Sequence, residues 1–319
     1  MTDHVIGIEI GGTKLQAAIG TCEGELLHIE RGAAPREEGA PGILAWCGKT
    51  VPLLLKRAGA EGARVSGIGV GFGGPIDTEA GRVLVSHQVE GWQGIPLKQW
   101  FEDRFSVPTA VHNDSNAAGW AEYCRGAGRG TRHFYYMNIG SGIGGAIIVD
   151  GQLHDGQGFG AGEIGHMHVP DWTAITSGAS EKLERLCSGW AIERRLRANA
   201  QPRPGTPLYE LCAADSNRIT CPLIAEAARR RDLVAAKAID EAARTLGLAL
   251  ANVITLMHPE RIALGGGVSL MGEVLIEPLR RYVDQYVFGP FRNRYEIVPC
   301  ALGESVVVVG ALLLAPRVL

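Results

Sequence analysis

Backbone N–H groups can converge on a phosphate only where the chain approaches it without a Cβ in the way, and glycine turns meet that condition. The sequence holds 44 glycines in 319 residues, about twice average usage. They cluster directly after apolar runs in four places: Gly11-Gly12, Gly69 to Gly74, Gly140 to Gly145 and Gly265 to Gly267. A single cluster would be read as a tight turn. Four of them, two in matching places of a repeated pattern, point to nucleotide phosphates gripped from two sides. Two segments, Gly69-Val70-Gly71-Phe72-Gly73-Gly74 and Gly140-Ser141-Gly142-Ile143-Gly144-Gly145, match G-x-G-x-x-G formally. A dinucleotide fingerprint, however, opens a helix at that turn. Here Pro75 follows the first and the β-like Ala146-Ile147-Ile148-Val149 follows the second. Gly12-Thr13-Lys14 reverses the last two residues that a Walker A loop requires.

Two further groups carry chemistry. Asn113-Asp114-Ser115-Asn116 reads either as a capped helix start, with Ser115 or Asn116 doing the capping, or as a carboxylate held ionised at the positive end of a helix. Glu163-Ile164-Gly165-His166 places an acid and an imidazole three residues apart, but lacks the second histidine of a helical metalloprotease site.

The elements that must position these groups follow from periodicity. Strands are predicted at residues 5–10, 15–20, 65–72, 109–112, 134–139, 146–149, 261–264 and 297–301, each beside a turn signal. Helices are predicted at 42–58, 97–105, 181–199, 207–213, 233–257, 272–286 and 305–314, the last almost wholly apolar and therefore buried. Strand–glycine turn–strand units recur about 130 residues apart, which suggests a duplicated α/β architecture. At about 150 residues per domain the length fits two domains.

Composition narrows the class. The chain is 46% hydrophobic and 20% charged, with a formal net charge of -3, a balance that argues against disorder and against a general phosphate-backbone binder. Its longest stretch without Asp, Glu, Lys or Arg, residues 133–149, is interrupted by glycines and does not read as a membrane span. Glu9 breaks the only early apolar run, so no signal peptide is expected. Seven cysteines without a C-x-x-C pair fit reduced thiols and a cytoplasmic location.

Taken together, Ile8-Glu9-Ile10-Gly11-Gly12-Thr13-Lys14, His112-Asn113-Asp114-Ser115-Asn116-Ala117-Ala118, Gly140-Ser141-Gly142-Ile143-Gly144-Gly145 and Gly162-Glu163-Ile164-Gly165-His166-Met167 resemble the signature segments of the ROK family of sugar kinases and sugar-responsive repressors. The resemblance spans essentially the whole chain. It implies a two-domain actin-like ATPase fold with a duplicated core, divided as residues 1–117 plus 304–319 and residues 118–303. It also implies ATP with Mg2+, a hexose acceptor (glucose first, N-acetylated or other hexoses after it) and a homodimer. By the same resemblance Asp114 is the catalytic base, and Gly73, Asn113, Asp114, Glu163, His166 and Glu184 contact the sugar. Gly11, Gly12, Thr13, Lys14, Gly140, Ser141, Gly142, Gly144, Gly265, Gly266 and Gly267 contact the nucleotide, with backbone ranked above the Lys14 side chain. Repressors of the family carry a helix-turn-helix segment ahead of this portion. With the first phosphate loop at residue 11 and no basic recognition stretch, no nucleic-acid or membrane partner is expected, and a catalytically weak sugar-binding regulator is the alternative.

The sequence departs from the family pattern in three places. Ile175, Ser177 and Lys182 stand where most members carry the cysteines of a structural zinc cluster, so no zinc is expected. Packing of Ile175, Leu183 and Leu186, with polar contacts of Ser177 and Ser180, is the expected substitute. Gly73-Gly74-Pro75 replaces Pro-Gly-Pro, and Ser86-His87-Gln88 lacks the usual asparagine; both bear on the sugar pocket.

Overall fold

The computed structural model describes residues 3–86, 88–199 and 203–316. Glycine turns between apolar runs make neighbouring strands pair before any helix intervenes, and the chain opens with β1 (Asp3–Ile10), β2 (Lys14–Gly20) and β3 (Leu26–Ala33). Helix α1 (Gly39–Ala60), β4 (Arg64–Phe72), the short β5 (Ile76–Asp77) and β6 (Arg82–Val83), α2 (Leu97–Phe105), β7 (Thr109–Asn113) and α3 (Asp114–Arg125) follow. The pattern restarts with β8 (Phe134–Ile139), β9 (Ile143–Val149) and β10 (Gln152–Leu153). Next come β11 (His168–Pro170), β12 (Ser180–Lys182), α4 (Leu183–Cys187), α5 (Gly189–Asn199), α6 (Pro207–Leu211), α7 (Cys221–Arg229) and α8 (Leu233–Met257). The order ends with β13 (Arg261–Gly265), α9 (Glu273–Tyr286), β14 (Glu296–Pro299) and α10 (Val306–Leu314).

Two five-stranded sheets have the orders β3-β2-β1-β4-β7 and β10-β9-β8-β13-β14. Strand for strand these are one arrangement. Three sequence neighbours lie side by side, and two parallel strands are added beside the first of the three. The core is therefore duplicated and the fold is α/β. The chain divides into two compact units, Met1–Arg132 with Ala146–Gly162 and Cys300–Leu319, and His133–Gly145 with Glu163–Pro299. Among the described residues no helix is long and apolar enough to cross a membrane.

In the first unit, Ile6, Ile8 and Ile10 of β1 pack with Ile43, Val51 and Leu54 of α1 in one apolar core. The other face of the sheet receives α10, with Val308, Val309 and Leu312 buried as their apolar run dictates. This approach is close enough that a Cβ on Gly69 of β4 would run into the Ala311 carbonyl. Gly69 and Gly71 thus serve helix packing, and of their cluster it is Gly73 that lies beside the carboxylate of Asp114. The second unit takes its core from Ile239, Ala242, Ala243, Leu246, Leu250 and Ile254 of α8, spaced as one helical face.

The helix predicted over 181–199 is instead two helices broken at Ser188, because the Gly189 amide leaves the helical path to bond the Gly140 carbonyl at 2.8 Å.

Candidate functional site

In the first unit the candidate residues gather where β1, β4 and β7 end together. Asn113 has extended backbone at the end of β7, and its Oδ1 accepts from the amides of Ser115 at 2.9 Å and Asn116 at 3.1 Å. Asn113 is therefore the N-cap of α3, in place of the expected Ser115 or Asn116, since it has extended backbone just before the first turn and serves two of the free amides there. Its Nδ2 donates to the Gly74 carbonyl at 3.1 Å, which pins the loop after β4.

With capping done by Asn113, Asp114 stands in the first turn, where the helix dipole favours its ionised form. Oδ1 accepts from the Ser115 amide at 2.7 Å, and Oδ2 lies 3.4 Å from where a Cβ on Gly73 would project. The Gly73 amide bonds the Ile10 carbonyl at 2.9 Å, and the Gly11 amide bonds the Lys14 carbonyl at 3.1 Å. Ile10, Gly11, Gly73 and Asp114 thus form one small cradle. Gly12 and Thr13 lie in the turn between β1 and β2, and Gln88 lies so close over Gly12 that a Cβ there would collide with it. His87 lies outside the described residues.

Lys14 is engaged locally, 3.3 Å from Glu9 Oε1 and donating to the Glu304 carbonyl at 3.0 Å. Glu9 is 8% exposed, and its Oε2 has no hydrogen-bond partner. Burial, reinforced by the charges of Asp114 and Glu304 and opposed by Lys14, raises the Glu9 carboxyl from 4.5 to about 7. A carboxyl that ionises later in the folded chain than in the unfolded one stabilises the fold relatively at low pH. That advantage is lost between pH 4.5 and about 7. Glu9→Gln is expected to remove this slope and to exceed the parent at pH 8 by on the order of 2 kcal/mol. Urea midpoints at pH 5 and pH 8 check the point, and identical slopes in the two proteins would refute it.

The second unit gathers its glycine loops at the carboxyl ends of the parallel strands β8 and β13, where open α/β sheets place ligands. Gly140, Ser141 and Gly142 form the turn after β8, closed by the Gly140 amide on the Gly142 carbonyl at 2.8 Å, whereas Gly144 lies within β9. Gly265 ends β13, and Gly266 and Gly267 follow it, with the Val268 amide bonded to the Ile139 carbonyl at 2.9 Å. The two loops are therefore neighbours.

Glu163 precedes and His166 ends a single helical turn, Ile164–His166, whose Gly165 sits directly on the Ile143 carbonyl. From the other side Glu184, on α4, accepts from the Ile143 amide through Oε2 at 2.9 Å. Ile143 thus joins the three residues expected at the sugar to the second glycine loop. Burial, and after it the charge of Glu163, pushes the Tyr135 phenol upward beneath this turn.

The donor set does not fit a structural zinc. His166 Nδ1 is 3.1 Å from Lys182 Nζ, an ammonium at the place where a ligating thiolate would stand. Among the described residues no group of three or more His, Cys, Asp and Glu can hold a metal ion. Nor is the segment held as expected, because Ile175 is fully exposed. A two-stranded ladder replaces the expected packing, pairing His168 with Lys182, Val169 with Glu181 and Pro170 with Ser180. Asp171 caps the turn between them by accepting from the Thr173 amide at 2.9 Å, while Leu183 is buried beyond it.

A family model described as ROK family matches residues 5–318. This chain belongs to the ROK family. A glucokinase from Streptomyces coelicolor is 33% identical over 317 residues, covering 96% of this chain and 95% of the relative. A crystal structure of a ROK family glucokinase from Streptomyces griseus, in complex with glucose and AMPPNP, matches with a TM-score of 0.81 at 34% identity, covering 98% of this chain and 99% of that one. A xylose repressor from Caldicellulosiruptor bescii is 26% identical over 309 residues, covering 97% of this chain and 77% of the repressor. The fold of this ROK chain is the expected two-domain, actin-like ATPase fold.

Proposed function

We propose that this ROK chain is an ATP-dependent sugar kinase that transfers the γ-phosphoryl group to a hexose hydroxyl, that of glucose at carbon 6. The observation that carries this reading is Asp114: a carboxylate in the first turn of a capped helix, one oxygen held by Ser115 and the other beside the Gly73 backbone. A base so placed takes the acceptor hydroxyl's proton as its oxygen forms the new bond to phosphorus and ADP leaves. The glucokinase relatives support the same reaction.

In this reading the backbone of Gly11, Gly12 and Thr13, the turn Gly140, Ser141 and Gly142, and Gly265 to Gly267 hold the nucleotide. Asn113, Glu163, His166 and Glu184 orient the sugar. The chemistry of the first unit fits magnesium, because Mg2+ is commonly held by one or two carboxylates, substrate phosphates and water. Glu9, with its buried and unpartnered Oε2, and Asp114 are the carboxylates suited to hold it. Bound there it would neutralise charge developing on the phosphates. A homodimer belongs to the same proposal.

An ADP-release assay across glucose, other hexoses, N-acetylated hexoses and amino sugars tests the reading. Turnover highest with glucose supports it in full; turnover highest with an N-acetylated hexose moves the substrate; no turnover with any sugar overturns it. Activity is further expected to survive zinc chelation once magnesium is resupplied. Stoichiometric zinc in protein purified without an affinity tag, with loss of stability on its removal, would refute that expectation.

A further inference from the structure

We propose that Glu184 sets the conformation of the second glycine loop and thereby couples occupation of the sugar site to nucleotide binding, an inference that rests on the kinase reading above. The loop is held by α4 and the residue pair that follows it. At one end Glu184 Oε2 accepts from the Ile143 amide at 2.9 Å, and at the other the Gly189 amide donates to the Gly140 carbonyl at 2.8 Å. Between these two points the backbone passes under the carboxylate so closely that a Cβ on Gly142 would stand 2.6 Å from Oε2. The close approach places a negative charge in the turn that this reading gives to phosphate.

That charge has a consequence with a definite sign. With the sugar absent, Glu184 occupies a loop amide and repels the anionic nucleotide. A sugar hydroxyl donating to the same carboxylate spreads its charge, weakens its hold on the Ile143 amide and lowers the repulsion, so sugar tightens nucleotide binding. By linkage, nucleotide tightens sugar binding by the same factor. The Glu163–His166 turn reaches the same junction independently, since Gly165 rests on the carbonyl of Ile143. Glu184 is thus a positioning residue for the phosphate loop as well as a sugar contact.

The test is calorimetric titration of the full chain with a β,γ-imido analogue of ATP, with and without the hexose that performs best in the ADP-release panel. The parent is expected to bind the analogue at least about fivefold more tightly with sugar, within the usual range of coupling between two sites. Glu184→Gln keeps an acceptor for the Ile143 amide but has no charge. Its sugar-free affinity for the analogue should rise and its coupling should fall to within twofold of unity. Glu184→Ala should lose the coupling as well, while retaining the far-ultraviolet spectrum of the parent. Coupling unchanged in both variants would overturn the proposal, as would a parent that phosphorylates the sugar yet binds the analogue identically without it. A parent that phosphorylates no sugar overturns the kinase reading itself and this proposal with it.

Discussion

Asp114→Ala is expected to lower turnover by on the order of a hundredfold or more, the usual cost of losing a general base, while sugar binding and the fold persist. The structure explains why the fold should survive. Capping of α3 is the work of Asn113, whose Oδ1 serves both the Ser115 and Asn116 amides. The variant forfeits the interaction of the Asp114 charge with the helix terminus, about 0.3–1 kcal/mol, and its bond from the Ser115 amide, which Asn113 also accepts. Asp114→Asn keeps the shape and most of the local hydrogen bonding and should be as inactive, which separates loss of the base from loss of packing. If the base acts only as the proton moves, kcat should fall while the sugar dissociation constant stays within a few-fold of the parent. Residual turnover above about a tenth of the parent would contradict the role, because base catalysis is worth about 100-fold at least.

The opposite substitution, Asn113→Ala, should have the reverse profile. It removes the cap and the tie from Nδ2 to the Gly74 carbonyl, so stability falls by about 1–2 kcal/mol. Activity then declines through misplacement of Asp114 rather than through loss of the base. Comparing kcat and Tm for the two variants distinguishes neighbouring residues that the sequence alone could not rank.

What the sequence shows and what it hides has physical reasons here. The long apolar stripe of α8, the strand–turn–strand units and the glycine loops at residues 140–145 and 265–267 are local patterns, and the fold follows them closely. The β3 strand escaped because it is the outer strand of its sheet, with His28, Glu30 and Arg31 obscuring any alternation. Glycines carry two meanings that spacing cannot separate. Gly69 and Gly71 admit α10 against the sheet, whereas Gly73 lies beside the carboxylate of Asp114, although all three share one cluster. The break at Ser188 depends on a hydrogen bond to Gly140, some fifty residues away in sequence, and no helical periodicity encodes it. Lys182 shows the limit most clearly. Its alignment with a missing cysteine is legible, but its 3.1 Å approach to His166 Nδ1 is a tertiary fact.

Glu122 was equally hidden, because a glutamate in the middle of an amphipathic helix reads as an exposed residue. It is instead fully buried, and its carboxylate accepts from the amides of Ala127 at 2.8 Å, Ala301 at 2.9 Å and Leu302 at 2.8 Å. Burial, and then this nearby charge, pushes the Cys300 thiol far upward, as expected for a thiol facing a buried carboxylate. Glu122 thereby ties the end of α3, the helix that begins with Asp114, to the segment leading into α10. Glu122→Ala would remove the carboxylate that all three amides share, and each charge-assisted bond of this kind is worth about 1.5–3 kcal/mol. Such losses overlap and water recovers part of them, so the expected net cost is on the order of 4 kcal/mol. That corresponds to a fall in Tm of roughly 10 °C in a chain of this size. Glu122→Gln retains one acceptor oxygen but turns an N–H donor toward the amides, and about half the loss is expected. Calorimetry of the three proteins at one pH decides the matter. A Tm within about 2 °C of the parent for Glu122→Ala, against a cost of this order, would show that the three bonds contribute nothing net and that the junction between α3 and α10 is held by the close packing of Gly310 on Ala117 instead.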